Sequence, residues 1–207
     1  MNMSLKHLSR MLSKLLVFSN PIIGLEQYAT SGEVAAELLW SSHMRNLIKD
    51  KVVIDLGAGT GILGIGALLL GAKKVVFLEK DSSAIRILEK NIKNVEEEYE
   101  LPSFEIIQGD VSSITGIFDF VIMNPPFGTK NKNVDTTFLN KAVSLSDNVL
   151  SIHKTSTKDY VVKYFEDNEF EVVDVFDFKY HLKKLFEHHD KPVKIIEISG
   201  FLGKRIK

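Results

Sequence analysis

Cysteine is absent from the 207 residues. Disulfides and thiolate metal sites are therefore excluded, and a reducing compartment, the cytoplasm, is the expected location. An excess of charge of one sign is missing too: 26 basic residues face 27 acidic ones, for a formal net charge of −1. A chain that grips nucleic acid alone usually carries a basic surplus, so a basic surface here must be local or be completed by a partner. No apolar run is long enough to cross a membrane; the longest uncharged stretch, 56–72, is interrupted by glycines. The first ten residues carry Lys6, His7 and Arg10 with no cleavage-site pattern behind them, so no signal peptide is expected. Repeats and low-complexity segments are lacking. The one acidic cluster, Glu96–Glu98, reads as a solvated helix end.

What is present is an ordinary globular composition, 44% apolar, enough for one domain with a substantial core. We read residues 1–207 as a single domain, with 1–48 a helical cover and 49–207 a sheet core. Leu5, Leu8, Met11, Leu12, Leu15 and Leu16 recur at helical spacing, and a second helix is expected over 31–47, with Thr30 and Glu33 at capping-box spacing. Strands then alternate with helices: strands at 52–56, 74–78, 104–108, 118–123, 148–152, 171–178 and 194–199, helices at 62–70, 82–95, 136–146 and 157–168. Such alternation predicts an α/β fold, a seven-stranded, mainly parallel sheet with helices on both faces. The segment 180–192 is too irregular for a helix, so the last strand is expected to run antiparallel. Ligands of such sheets bind at the carboxyl ends of the strands, and the motifs below fall at such ends.

The first strand leads into Asp55-Leu56-Gly57-Ala58-Gly59-Thr60-Gly61. Glycines let the backbone turn sharply and approach a ligand closely. Two ligands compete for this loop. Gly59, Gly61 and Gly64 match the dinucleotide fingerprint GxGxxG, while Asp55, Gly57, Gly59 and Gly61 match the acidic-x-Gly-x-Gly-x-Gly loop that cradles the amino-acid end of S-adenosylmethionine. Glu79, at the end of the second strand, can accept two hydrogen bonds from the ribose diol of either. Asp110 ends the third strand and can accept from an adenine N6 amine, with the Val111 backbone near the ring edge, although Gly-Asp is also a common turn.

The fourth strand ends in Asn124-Pro125-Pro126-Phe127. An exocyclic base amine is a poor nucleophile because its lone pair is delocalised into the ring. The Asn124 side-chain oxygen and the Pro125 carbonyl can accept both amine hydrogens, localise the lone pair, and stabilise the positive charge that grows on nitrogen. The two prolines stiffen the loop, and Phe127 offers a flat face for stacking. A dehydrogenase has no use for this tetrapeptide, so the joint pattern selects S-adenosylmethionine. Residues 128–135, with Lys130 and Lys132, read either as a loop that closes over substrate phosphate or as a solvated surface loop.

This pattern resembles the amino-methyltransferases acting on adenine N6, cytosine N4, guanine N2 or glutamine N5. Three stretches look closer: Leu25–Thr30, Asn124–Lys130 and Ser151–Lys154. Together they resemble the archaeal and eukaryotic methyltransferase-like protein 5 family, which makes N6-methyladenosine in small-subunit ribosomal RNA, over about residues 20 to 200. The resemblance implies a Rossmann-like class I methyltransferase fold and cofactor contacts at Gln27, Thr30, Gly57, Thr60, Ile62, Glu79, Asp110 and Val111. It implies catalysis at Asn124 through Phe127. Thr30 could equally cap its helix, and His153 and Lys154 either touch RNA or form a satisfied polar pair. Glu79 stands where one family member carries Asp; the longer carboxylate should still reach the ribose. The family works with a small zinc-binding activator protein, and an apolar edge at Phe104, Ile106 and Ile107 of the third strand would suit it. The target adenine must be unpaired or flipped out to reach a strand-end pocket. Rival readings are a glutamine-N5 or DNA amino-methyltransferase, or a non-catalytic cofactor-binding assembly factor. The glutamine enzymes usually carry Tyr at the Phe127 position, and no DNA target-recognition domain is present.

Overall fold

The computed structural model describes residues 3–18, 30–126, 134–181 and 195–206. The elements follow the expected order: α1 (Leu5–Leu12), α2 (Gly32–Met44), β1 (Val52–Leu56), α3 (Ile62–Leu69), β2 (Lys74–Glu79), α4 (Ser82–Glu96), β3 (Ser103–Gln108), β4 (Phe120–Met123), α5 (Val134–Leu145), β5 (Asn148–Lys154), α6 (Lys158–Asp167), β6 (Phe170–His181) and β7 (Ile195–Arg205). The seven strands form one sheet in the order β3-β2-β1-β4-β5-β7-β6. β1 through β5 are mutually parallel, and β7 runs antiparallel to both neighbours. The order reverses between β1 and β4, and a crevice opens at such a switch point.

Pleat alternation sorts the side chains onto two faces. Val53, Val75, Phe77, Phe120 and Ile122 meet the apolar faces of α1 to α4. Ile54, Leu56, Val76, Val121 and Met123 meet α5 and α6. Leu8 and Leu12 of α1 and Leu38 and Leu39 of α2 lie in the same buried cluster as Leu63 and Ile65 of α3, so the N-terminal helices cover one face and share its core.

Several boundaries differ from expectation, and three of the differences have a clear cause. α2 is capped by Ser31, whose Oγ accepts from Val34 N–H at 3.2 Å, not by Thr30. α1 stops at Leu12 because its last turn tightens: the N–H groups of Lys14 and Leu15 bond to carbonyls three residues back, and the Ser13 hydroxyl returns to the Ser9 carbonyl. β6 and β7 outrun their apolar patterns because they pair along their lengths, Phe170 with Arg205 through His181 with Ile195, with one irregularity at Val172/Asp174. Residues 180 and 181, expected in the irregular segment, thus belong to β6.

Candidate active site

The loop after β1 has the backbone that its glycines imply. Gly57, Gly59 and Gly61 have φ of +71°, +57° and +88°, the left-handed region that a Cβ disfavours. The N–H groups of Gly57 and Ala58 donate to the Leu78 carbonyl, tying the loop to β2. Among the described residues, a Cβ on Gly59 would meet nothing nearer than the Phe18 ring, at 3.8 Å. The Gly59 side of the loop is therefore bare backbone that a ligand can approach closely, whereas a Cβ on Gly57 or Gly61 would strike Phe138 Cε1 at 2.9 Å or Leu88 Cδ1 at 2.1 Å.

Asp55 does not face that surface. Pleat alternation turns it toward α3, where it is 1% exposed and its Oδ2 accepts from Gly64 N–H at 2.8 Å. The expected direct cofactor contact gives way to a brace: a buried carboxyl holding the first turn of α3 against β1. Burial pushes this carboxyl up to about 7; the Gly64 hydrogen bond opposes the shift and the Glu79 charge adds to it.

Glu79, half-buried at the end of β2, accepts from Gly59 N–H at 2.8 Å through Oε2, and from Lys80 and Asp81 N–H at 2.9 Å through Oε1. Three of its roughly four lone-pair sites are thus taken by backbone. It anchors the glycine loop to the end of β2. Asp110 caps a 3₁₀ turn at Val111–Ser113, accepting the Ser112 N–H and hydroxyl through Oδ1; these bonds hold its carboxyl below the usual range. Val111 is buried in the core beside it. Ile62 opens α3 half-buried, and Thr60 is buried at the loop's apex.

Asn124 follows β4. Leu56 pairs with Met123, so the residues after them, Gly57 and Asn124, leave adjacent strands at the same level, where neighbouring strands lie about 4.8 Å apart. The half-buried Asn124 donates through Nδ2 to the Thr30 hydroxyl at 2.8 Å. Thr30 is 6% exposed. Of the two roles open to Thr30, the helix cap is taken by Ser31; its hydroxyl instead fixes the Asn124 amide by accepting from Nδ2. Pro125 is buried and Pro126 half-buried behind it. Gln27, Phe127, Lys130 and Lys132 lie outside the described residues.

His153 requires a correction. It shares the pleat face of Ser151, is 1% exposed, bonds Ser151 Oγ through Nε2, and packs edge-on against Phe201 with ring centroids 5.9 Å apart. A side chain so enclosed cannot touch RNA. Lys154, on the opposite face, is half-buried at the end of β5. Burial pushes the His153 imidazole down to about 3.

The two buried titratable groups give opposed pH dependences. The folded state holds a proton on Asp55 between its ordinary 3.8 and about 7, where the unfolded chain has released it, so stability from this group is lost as pH rises through that window. The unfolded chain protonates His153 below 6.5 while the folded state refuses the proton until about 3, so stability from this group is lost as pH falls through that window. Relative to wild type, the melting temperature of Asp55→Asn should therefore climb as pH is raised from 4 to 6.5, and that of His153→Gln should drop. Thermal unfolding at constant ionic strength checks both; differences flat with pH would refute the assignments.

A parallel sheet reversing at β1/β4, a glycine cradle on one side of the reversal and an Asn-Pro-Pro turn on the other define a class I, S-adenosylmethionine-dependent methyltransferase. A family model described as conserved hypothetical protein 95 matches residues 27–173. The chain is 39% identical to the rRNA N(6)-adenosine-methyltransferase METTL5 of Danio rerio, covering 95% of this chain and 97% of that one. It is 35% identical to the protein of that name in Drosophila melanogaster, covering 95% and 94%. The crystal structure of PH1948 from Pyrococcus horikoshii superposes with a TM-score of 0.87 at 38% identity over 98% of each chain. The chain belongs to the methyltransferase-like protein 5 (METTL5) family.

Proposed function

We propose that this protein methylates N6 of an unpaired adenine in RNA, and that its substrate is small-subunit ribosomal RNA. The observation that carries the reading is the Asn124 side chain, held by its Nδ2 bond to Thr30 at the end of β4, level with the glycine loop that leaves β1. S-adenosylmethionine, when bound, supplies an electrophilic methyl group on a sulfonium. Gly57, Gly59 and Gly61 would hold it along bare backbone, with Glu79 at the ribose and Asp110 and Val111 at the adenine. Asn124 Oδ1 and the Pro125 carbonyl accept the two hydrogens of the target amine and draw its lone pair out of conjugation. The same two oxygens stabilise the cationic nitrogen, which then gives its surplus proton to water. Phe127, Lys130, Lys132 and Lys154 are assigned to the flipped base and its phosphates.

The activator belongs to the same proposal. β3 ends the sheet, and its Phe104, Ile106 and Ile107 are only half-buried. An edge of this kind suits a partner that adds a strand, here a small zinc-binding protein. A cytoplasmic site of action remains part of the reading; among the described residues no helix is long and apolar enough to cross a membrane.

The test is methyl transfer to purified small-subunit rRNA, with nucleosides resolved by mass spectrometry, with and without the activator. N6-methyladenosine is the expected product. N5-methylglutamine in a protein substrate, methylated DNA alone, or cofactor binding without transfer in the presence of the activator would each replace the proposal with one of its rivals.

A further inference from the structure

We infer that Asn91 and Phe18, neither of which belongs to a cofactor motif, build one wall of the cofactor site; the inference rests on the methyltransferase reading. Asn91 lies on the buried stripe of α4 with Ala84, Leu88, Ile92 and Val95 and is 0% exposed. A carboxamide at such a position is costly unless its hydrogen-bonding groups are satisfied. Here they are. Oδ1 accepts from Leu16 N–H at 2.7 Å, and Nδ2 donates to the Leu16 carbonyl at 3.0 Å and to the Thr60 carbonyl at 2.9 Å.

The first two bonds seize both backbone groups of Leu16, as a neighbouring strand would, in a segment outside the sheet. The third reaches the apex of the glycine loop, between the left-handed Gly59 and Gly61. One side chain thereby welds the stretch after α1 to the cofactor loop, though Leu16 and Thr60 stand far apart in sequence. Two residues beyond Leu16, the Phe18 ring comes to Gly59: its Cζ and Cε2 lie 3.8 and 3.9 Å from where a Cβ would be. That position is the open side of the loop. The half-buried ring therefore flanks the space that a cofactor on the loop would fill, and Leu16 and Val17 beside it are 46% and 53% exposed. Asn91 is a positioning residue, acting on the cofactor through the loop and the ring; Phe18 is a contact.

The experiment measures S-adenosylmethionine affinity of the full chain by calorimetry, melting temperature, and KM for each substrate. Wild type is measured first: no cofactor binding there would overturn the methyltransferase reading itself. Given wild-type binding, Phe18→Ala should weaken the cofactor about tenfold, the loss of one partly buried aromatic contact. KM for RNA and the melting temperature should change little, and Phe18→Tyr should restore affinity. Asn91→Ala should weaken the cofactor likewise, and its effect should not add to that of Phe18→Ala, because both act through one wall. Should Asn91→Ala fail to fold, Asn91→Gln and Phe18→Ala carry the same cycle. Unchanged affinity in Phe18→Ala, or additive losses in the double variant, would overturn the inference.

Discussion

Asn124→Ala should leave cofactor affinity near wild type and reduce methyl transfer by about 10²–10³-fold, the scale for removing one preorganised polar group from a site of developing charge. The loss should fall on kcat, because the bond from Oδ1 strengthens only as positive charge grows on the target nitrogen. Asn124→Asp is the sharper companion. It keeps the acceptor but forfeits the donated hydrogen bond to Thr30, 2.8 Å in the wild type. The Thr30 hydroxyl can turn to donate to either carboxylate oxygen, so the acceptor is less well fixed and only part of the rate should return. Thr30→Val should then resemble a weaker Asn124→Ala, since the amide loses its tether and not its oxygen. Single-turnover transfer and calorimetry on the same preparations separate these effects. Transfer at the wild-type rate in Asn124→Ala would remove the polar grip from the mechanism.

Gly64→Ala should destabilise the fold and weaken the cofactor together. A Cβ there would lie 2.2 Å from Phe77 Cε1, with two more ring atoms inside 3.0 Å, and Phe77, a β2 residue beneath α3, is fully buried. The ring has nowhere to retreat, so α3 must move. Overpacking of this kind costs about 1–3 kcal/mol, which the better helix propensity of alanine only partly offsets. For a chain of this size each kcal/mol lowers the melting temperature by about 2–4 °C. Moving α3 also displaces Gly64 N–H from Asp55, the bond that seats the cofactor loop. Combining the change with Phe77→Leu should recover part of the loss, since the smaller side chain vacates the space the new methyl needs. A melting temperature unaltered by Gly64→Ala would show that α3 is held less tightly than its packing implies.

Most of the fold was legible because its signals are local. Strand and helix alternation, glycine spacing after β1 and the Asn-Pro-Pro turn after β4 all arise within a few residues, and the parallel topology then forces both loops to one rim. The edge position of β3 was foreseen from the fold class, and only its apolar residues from the sequence. What misled lay in side-chain direction and partner. Ser31 took the cap that Thr30 also matched, a choice between neighbours that depends on where Thr30 is needed: at Asn124, 94 positions away. His153 read as a strand-end polar residue. Its inward turn follows from a β5 that extends to Lys154 by pairing with β7, which places His153 beside Ser151 on the core face. Asn91 offered one signal that went unused, a carboxamide on an otherwise apolar helical stripe.

Composition, periodicity and two short loops determined that this chain forms a parallel α/β sheet able to present a glycine cradle and an amide clamp at its rim. Those features need only backbone preferences and the alternation of apolar residues, which act between near neighbours. The tertiary structure alone decided which polar groups face the rim and which serve beneath it. Asp55 became a buried brace, Thr30 a tether and Asn91 a weld because hydrogen-bond partners inside a core are chosen by proximity in space, after the sheet has brought distant segments together.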